Sequence, residues 1–171
     1  MKGILMTPSN HLAIREGLKL VTRRPGKPRY KVGEVVYVKE KWCVVKIDCE
    51  IIQDFRWLVQ YDVESLPSRP GFIMGKWRSP HFMPEWAARD FIKMLSVRQE
   101  LLQDITEEDA IKEGIIQAGG CFWTTENGIA FNTAREACGE LWDTIYPHAK
   151  WETNPLVTRY EFSRELQHKQ R

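Results

Sequence analysis

The chain has almost no net charge. Its 25 Lys and Arg residues are nearly matched by 23 Asp and Glu residues, which leaves a formal charge of +2. A chain so balanced is not a polycation of the histone type, so any contact with nucleic acid must come from a local patch of cations. Hydrophobic residues make up 43% of the sequence, which is enough for a packed core and argues against global disorder.

Long apolar runs and close cysteine pairs are also missing. No stretch approaches the roughly 18 apolar residues of a membrane-spanning helix, and the apolar part of the N-terminal MKGILMTPSNH is too short for a signal peptide. The four cysteines, Cys43, Cys49, Cys121 and Cys138, form no C-x-x-C pair, which disfavours structural zinc. We therefore expect a soluble cytoplasmic protein with reduced cysteines, no metal, no cofactor and no membrane partner.

Capping residues and hydrophobic periodicity predict an α+β fold. Helices are expected after Thr7-Pro8, after Thr106 and after Asn132, because each has a capping side chain ahead of an apolar stripe. Strands separated by glycine and proline, with a few short helices, favour a small mixed barrel. The strands are expected at about 2–6, 20–24, 35–40, 56–61, 90–102 and 156–162.

The segment GLKLVTRRP, residues 17–25, carries a candidate nucleophile and a candidate base. Alternation in a strand places Thr22 and Arg24 on one face and Arg23 on the other, and the long stem of Lys19 can fold back over Thr22. Burial and neighbouring cations favour a neutral lysine, which activates a hydroxyl as in Ser-Lys sites. The residues themselves do not identify the acid that the leaving group needs, since any of the 23 carboxylates would serve.

The same segment begins a cluster of cations that favours a different role. Arg23, Arg24, Lys27 and Arg29 surround one turn, as expected for a phosphate contact. On spacing alone, a phosphate contact and a solvated strand end both remain alternatives to a catalytic lysine.

A second candidate region, residues 75–86, mixes cations and aromatic side chains in the order GKWRSPHFMPEW. Single strands and flipped bases are held by stacking on aromatic rings, with cations on the phosphates. We expect this region to form a base clamp beside Thr22, with Trp86 filling the open edge of the barrel. The residues predicted to bind nucleic acid there are Lys76, Trp77, Ser79 and His81.

Several segments together resemble one known family, the ASCH domain family. Residues 17–24, GLKLVTRR, resemble its G-x-K-x-x-T-x-R signature. The sequence YKVGEVVYV at 30–38 resembles its strand entry, and LQDITEEDAIKEG at 102–114 resembles its conserved helix. The sequences HFMPEWAAR at 81–89 and WETNP at 151–155 resemble the longer ASCH-like proteins common in phages and prophages. The resemblance runs in order through nearly the whole chain.

The resemblance implies a fold and a location. It implies a small twisted PUA-like β-barrel with flanking short helices, formed by residues 1–171 as a single domain. Relative to small ASCH proteins, the chain is extended by an aromatic loop at about 64–86 and an insertion at about 115–154. If the protein is encoded by a phage, the implied location is the cytoplasm of the bacterial host.

The resemblance also implies an activity and supplies the missing acid. Small bacterial members of the family are amidohydrolases that remove the acetyl group from N4-acetylcytidine. Their proposed lysine, threonine and glutamate fall on Lys19, Thr22 and Glu113, whereas the first basic residue of their G-[RK]-K motif is Leu18 here. The implied partner is a modified nucleoside, RNA or single-stranded nucleic acid. A non-catalytic module that binds RNA or single-stranded DNA is the alternative, and a metal-independent ribonuclease is a third possibility.

Overall fold

The computed structural model describes residues 1–47, 57–61, 72–124 and 128–165. Sheets form most of the core and helices are few, so the predicted α+β class is confirmed. In the described part of the chain, no helix is both long enough and apolar enough to cross a membrane. The strands are β1 (Gly3–Leu5), β2 (Val21–Pro25), β3 (Val35–Lys39), β4 (Trp42–Ile47), β5 (Trp57–Tyr61), β6 (Phe72–Met74), β7 (Phe91–Leu101), β8 (Ile116–Ala118), β9 (Cys121–Trp123), β10 (Ala130–Phe131) and β11 (Leu156–Glu165), and the α-helices are α1 (Pro8–Arg15), α2 (Glu107–Lys112) and α3 (Ala134–Ile145).

The largest sheet has the strand order β1-β3-β7-β11-β2. Strands β1 and β3 are parallel, and the other neighbours are antiparallel. Strand β2 lies at one edge of this sheet, where Thr22 is opposite Tyr160 and Arg23 is opposite Arg159. None of the three sheets formed by the described residues closes on itself, so a closed barrel is not confirmed.

Two smaller sheets occupy the regions where the sequence predicts extensions. One sheet has the order β5-β4-β6, in which β6 at the start of the described part of the aromatic loop pairs with β4. The other has the order β10-β9-β8 and is formed by the first part of the 115–154 insertion. Residues 64–71 of the predicted aromatic loop and residues 125–127 of the insertion lie outside the described residues. Strands β4, β8, β9 and β10 are short or irregular in pattern, and the periodicity of the sequence does not predict them.

Local hydrogen bonds explain where the first two helices begin. The Thr7 hydroxyl oxygen accepts from the Asn10 backbone N–H at 3.2 Å, and Pro8 occupies the first turn of α1, where no N–H is needed. The Thr106 hydroxyl oxygen accepts from the Asp109 backbone N–H at 3.1 Å at the start of α2. Both predicted caps are therefore confirmed.

The predicted start of α3 is wrong by one residue. Thr133 is the N-cap, because its hydroxyl accepts from the Glu136 backbone N–H at 3.1 Å while the Glu136 carboxylate accepts from the Thr133 N–H at 3.2 Å. This reciprocal pair needs a glutamate three residues after the cap, and that spacing starts from Thr133 and not from Asn132.

The apolar core forms on both sides of the segment that precedes β2. Helix α1 packs against the large sheet, whereas α2 and α3 pack against each other through a separate cluster. The first cluster is Ile4, Met6, Ile14, Tyr30, Val36, Val38, Ile92, Met94, Tyr160 and Phe162, and the second is Ile105, Ala110, Ile115, Ala134, Ala137, Cys138 and Leu141.

Candidate functional site

A cavity of about 50 Å³ lies where α1, β2, α3 and the end of α2 meet. We call it the inner cavity. It has room for roughly three to five water molecules, at 10–15 Å³ for each. Its lining consists of Thr7, Asn10, Lys19, Thr22, Arg23, Arg24, Leu102, Glu113, Cys138, Leu141, Trp142, Ile145 and Tyr146.

Lys19 and Glu113 are in direct contact in the wall of the inner cavity. The Lys19 ammonium donates to Glu113 Oε2 at 2.8 Å and also to the Glu113 backbone oxygen. The two residues form an antiparallel bridge, and the Leu20 N–H donates to the Lys112 oxygen at 2.8 Å beside it. Gly114, with φ at +100°, turns the chain directly after Glu113, a conformation in which a residue with a side chain is strained. Backbone pairing therefore fixes this ion pair before any ligand binds.

Arg23 is directed at carboxylates inside the protein, although the sequence predicts that it contacts nucleic acid. It is 4% exposed, and its guanidinium donates to Glu100 Oε1 at 2.8 Å, Asp109 Oδ2 at 2.7 Å and Glu113 Oε1 at 3.1 Å. Burial opposes the charge of Arg23, but Glu113, Asp109 and Glu100 outweigh burial and raise its pKa. We therefore assign Arg23 to holding Glu113 and not to binding a ligand.

Asp109 joins Arg23 to a further arginine. Arg159 donates from Nε to Asp109 Oδ2 at 2.7 Å and from Nη2 to Oδ1 at 2.9 Å. These hydrogen bonds outweigh the effect of burial and hold the pKa of Asp109 well below its usual range, and they raise the pKa of Arg159. We call the whole set the Arg23 network, in which cations and carboxylates match one for one. Its members are Lys19, Arg23, Arg98 and Arg159 with Glu100, Asp109, Glu113 and Glu161.

Two polar side chains in the inner cavity have no protein partner in the described part of the chain. The Thr22 hydroxyl and the Asn10 carboxamide make no hydrogen bond there, although the two residues are only 4% and 7% exposed. Thr22 also makes no hydrogen bond to the Lys19 ammonium. Neither side chain is among the fully enclosed polar atoms without a partner in the described residues, so both face the space of the inner cavity. Both groups are therefore available to a ligand.

The other hydroxyl and thiol groups of the inner cavity are occupied or protonated. Thr7 caps α1, and the Tyr146 hydroxyl accepts from Arg24 Nη1 at 3.0 Å. Burial raises the pKa of the Cys138 thiol to about 12, so it is not the thiolate that a reactive cysteine requires. Among the lining residues, Thr22 is thus the available nucleophile.

The sequence reasoning missed Asn10. The signal that could have found it is helical spacing, since Asn10 lies three and four residues before the buried Ala13 and Ile14 and so shares their face. A polar residue on the buried face of a short helix is a candidate for contact with a ligand.

The predicted binding residues of the aromatic region lie elsewhere. None of the four lines the inner cavity, so the structure does not bring them beside Thr22. Trp77 is 37% exposed with the Lys41 ammonium 5.4 Å from its ring centre, and Lys39 donates to the His81 backbone oxygen at 3.0 Å. Trp86 is 69% exposed, so the prediction that it fills the edge of a barrel is wrong. The four residues are Lys76, Trp77, Ser79 and His81.

A second buried charge cluster contains a histidine. His11 Nε2 lies 2.9 Å from Asp90 Oδ2, and Nδ1 lies 3.2 Å from Glu40 Oε2 in a contact too poorly aligned for a hydrogen bond. Arg89 donates to both Glu40 oxygens at 2.8 and 2.7 Å, and Arg164 donates to Asp90 Oδ1 at 2.9 Å. We call these five residues the His11 cluster.

The His11 imidazole and the Glu40 and Asp90 carboxylates are close enough together to be metal ligands, because one candidate ligand atom from each lies within 4.8 Å of the others. Each carboxylate already accepts from an arginine, however, and a metal ion would have to compete with that guanidinium. The donor set is therefore better suited to an ion-pair cluster than to a metal centre.

Comparisons with protein-family models, with curated proteins and with solved structures find no match for this chain. The family resemblance of the sequence motifs therefore remains a prediction, and the functional argument depends on the geometry of the inner cavity.

Proposed function

We propose that the protein is an ASCH-type amidohydrolase that removes the acyl group from the exocyclic nitrogen of N4-acetylcytidine or a related modified base. On this proposal, the open five-stranded sheet corresponds to the PUA-like barrel of that family. The observation that carries the proposal is the unpaired Thr22 hydroxyl, which shares a small buried cavity with the Lys19–Glu113 ion pair.

The first step is attack by Thr22 on the acyl carbon. The proton that Lys19 donates to Glu113 Oε2 moves to the carboxylate, and the resulting amine accepts the proton of the Thr22 hydroxyl. The bond from Thr22 Oγ1 to the acyl carbon forms as the carbonyl π-electron pair moves onto its oxygen. The Lys19 ammonium formed in this step stabilises that negative oxygen.

The second step releases the base. The tetrahedral intermediate collapses, the bond between carbon and the exocyclic nitrogen breaks, and Lys19 returns a proton to that nitrogen, so that the amino group of cytosine leaves. An ester remains on Thr22. Water then attacks this ester, gives one proton to the Thr22 oxygen through Lys19, and releases acetic acid, which ionises in the solvent. Glu113 returns its proton to Lys19, and this transfer restores the starting ammonium and carboxylate.

Two neighbours support these steps without reacting. Arg23 holds Glu113 Oε1 at 3.1 Å, so Oε2 stays directed at Lys19. Asn10 contributes an unpaired carboxamide, which suits the polar edge of a pyrimidine ring, where a base presents adjacent donors and acceptors.

The test is acetate release from N4-acetylcytidine by the purified protein, followed by chromatography of the nucleoside product. We expect cytidine and acetate in equal amounts, with activity lost in Thr22→Val and Lys19→Gln. Thr144→Val is the matched control, because its exposed hydroxyl lies outside the inner cavity on α3. The proposal is wrong if the wild-type protein turns over no acylated nucleoside.

An exposed aromatic strip favours a second candidate, non-catalytic binding of RNA or single-stranded DNA. Phe82 and Trp86 are 78% and 69% exposed, and cations lie beside nearby rings, with Lys41 at Trp77 and Arg78 at Trp42. Loss of a base-stacking ring costs about 1–3 kcal/mol. If this alternative holds, added salt and the Trp77→Ala substitution each weaken the binding of an oligonucleotide in a filter-binding assay. Binding that neither change affects would exclude this alternative.

A further inference from the structure

A larger cavity of about 310 Å³ adjoins the inner cavity. We call it the basic cavity. It is bounded by β1, by the turn that follows β2, and by the end of α3. Three of its lining residues are cations and none is a carboxylate. The lining consists of Gly3, Ile4, Leu5, Arg24, Pro25, Lys27, Arg29, Tyr30, Tyr146 and Tyr160.

The cations of the basic cavity are largely not paired with other groups in the described part of the protein. In the described part of the chain, the side chains of Lys27 and Arg29 make no hydrogen bond or ion pair, and both residues are exposed. Arg24 is partly used, because it donates to Tyr146 and to the Leu5 backbone oxygen, but its Nε is buried without a partner. Because the chain as a whole is nearly neutral, this unpaired positive charge is a local feature that fits an anion.

The turn that carries these cations is fixed to the sheet by its backbone. The Thr158 hydroxyl donates to the Gly26 oxygen at 2.7 Å, and the Arg29 N–H donates to the Tyr160 hydroxyl at 2.8 Å. Lys2 donates to the Arg29 oxygen at 2.8 Å. The backbone is therefore ordered in advance while the charged ends stay free, which lowers the entropy cost of binding an anion.

The two cavities share a wall. Arg24 and Tyr146 line both, and they are joined by the hydrogen bond from Arg24 Nη1 to the Tyr146 hydroxyl at 3.0 Å. A ligand with an acylated base at one end and an anionic group at the other can therefore contact both cavities from the two sides of this pair. A nucleotide has that form, because a sugar joins its base to a phosphate.

We infer that the basic cavity binds the phosphate of a nucleotide or oligonucleotide whose acyl group enters the inner cavity. This inference rests on the proposed function, and it makes the substrate class a phosphorylated nucleotide and not a free nucleoside. Lys27, Arg29 and Arg24 supply the charge, since arginine and lysine both bind phosphate oxygens through charge-assisted hydrogen bonds.

The experiment measures equilibrium binding through tryptophan fluorescence, because Trp142 lines the inner cavity. It uses the Thr22→Val protein, which is expected not to hydrolyse the acetylated ligands, and the further variants are made in that protein. The ligands are N4-acetylcytidine, its 5′-monophosphate, and a dinucleotide in which the acetylated cytidine carries a phosphodiester. We expect a phosphate to tighten binding at least about tenfold, which corresponds to 1.4 kcal/mol. The monoester and the diester distinguish a mononucleotide from an RNA chain as the source of that phosphate.

The matched variants remove one positive charge each. In Lys27→Gln and Arg29→Gln, the phosphorylated ligands are expected to bind no more tightly than the nucleoside does. The affinity for the nucleoside itself is expected to stay unchanged. Lys93→Gln is the control, since Lys93 is exposed on β7 and lines neither cavity. Equal affinity for nucleoside and nucleotide, or equal effects of Lys27→Gln and Lys93→Gln, would overturn the inference even if the nucleoside is hydrolysed.

The outcome also separates this inference from the proposed function. If none of the three acetylated ligands binds, the proposed function fails, and unmodified single-stranded RNA becomes the probe of the basic cavity. Salt-sensitive binding of that RNA that is lost in Lys27→Gln supports a phosphate site, whereas binding unaffected by this change overturns it.

Discussion

The Arg23 network and the His11 cluster are both sets of paired charges with buried centres, but they differ in what lies beside them. The Arg23 network borders the inner cavity, where Thr22 and Asn10 are unpaired. None of the members of the His11 cluster lines either cavity. Buried ion pairs alone hold elements together, and a reaction requires in addition a free group and space for a ligand. The difference therefore predicts that equivalent substitutions have unlike effects in the two places.

The largest effect is expected from Thr22→Val. Removing the proposed nucleophile is expected to lower the rate of acetate release by about 10³-fold or more. The free energy of unfolding is expected to stay nearly constant, because the Thr22 hydroxyl has no protein partner to lose. Kinetics and urea unfolding of the same preparation check both parts, and a stable variant with full activity would contradict the proposed role.

A matched pair, Glu113→Gln and Glu40→Gln, compares the two charge clusters directly. Each change removes a buried carboxylate that is held by cations, so each is expected to destabilise the fold by about 3–5 kcal/mol. Only Glu113→Gln is expected to lower turnover as well, by about 10²–10⁴-fold.

Turnover per folded molecule, measured at low temperature, separates these effects. If Glu40→Gln lowers turnover as much as Glu113→Gln does, the distinction between the two clusters is wrong.

The His11 cluster is expected to make stability depend on pH. Burial by itself lowers the pKa of His11, but its contacts with Asp90 and Glu40 outweigh burial and raise it. The stabilisation is therefore fully present below about pH 6.5, the usual value of an unfolded histidine, and is lost as the pH rises through the raised value of the folded state.

Urea unfolding is expected to show a loss of stability in the wild-type protein between pH 6 and pH 9. The variant His11→Gln is expected to be less stable and to lack this dependence. Parallel curves for the two proteins would show that another group is responsible.

The smallest effect is expected from Asn10→Leu. The KM for N4-acetylcytidine is expected to rise about tenfold, the equivalent of one lost hydrogen bond to a buried partner. The free energy of unfolding is expected to remain nearly unchanged, because the Asn10 carboxamide has no protein partner among the described residues. A large loss of stability would mean that Asn10 serves the fold and not the ligand.

Features that depend on neighbouring residues could be predicted from the sequence. The caps at Thr7 and Thr106 could be predicted because each hydroxyl accepts a hydrogen bond from the backbone N–H three residues later in the chain. Long alternating segments likewise predict β7 and β11. The resemblance to a family selected Glu113, and the structure places that residue beside Lys19.

Features that depend on distant residues could not be predicted. Arg23 binds carboxylates 77 to 90 positions away, and nothing within a strand indicates whether such an arginine faces water or an internal carboxylate. The cations of the basic cavity were predicted as a phosphate contact, but its wall could not be predicted, since it combines β1, the turn after β2 and the end of α3. Helical spacing places Asn10 on the buried face of α1, but the cavity that it lines is completed only by residues of β2, α2 and α3.

The reach of the Arg23 network also bears on the order of folding. Asp109 accepts from Arg23, which is among the earliest residues, and from Arg159, which belongs to the last described strand. During synthesis on a ribosome, Arg23 and Asp109 emerge long before Arg159 can join them, and contacts between such distant positions form slowly. The pocket of a nascent chain should therefore mature late, together with β11, which joins β2 to the rest of the sheet.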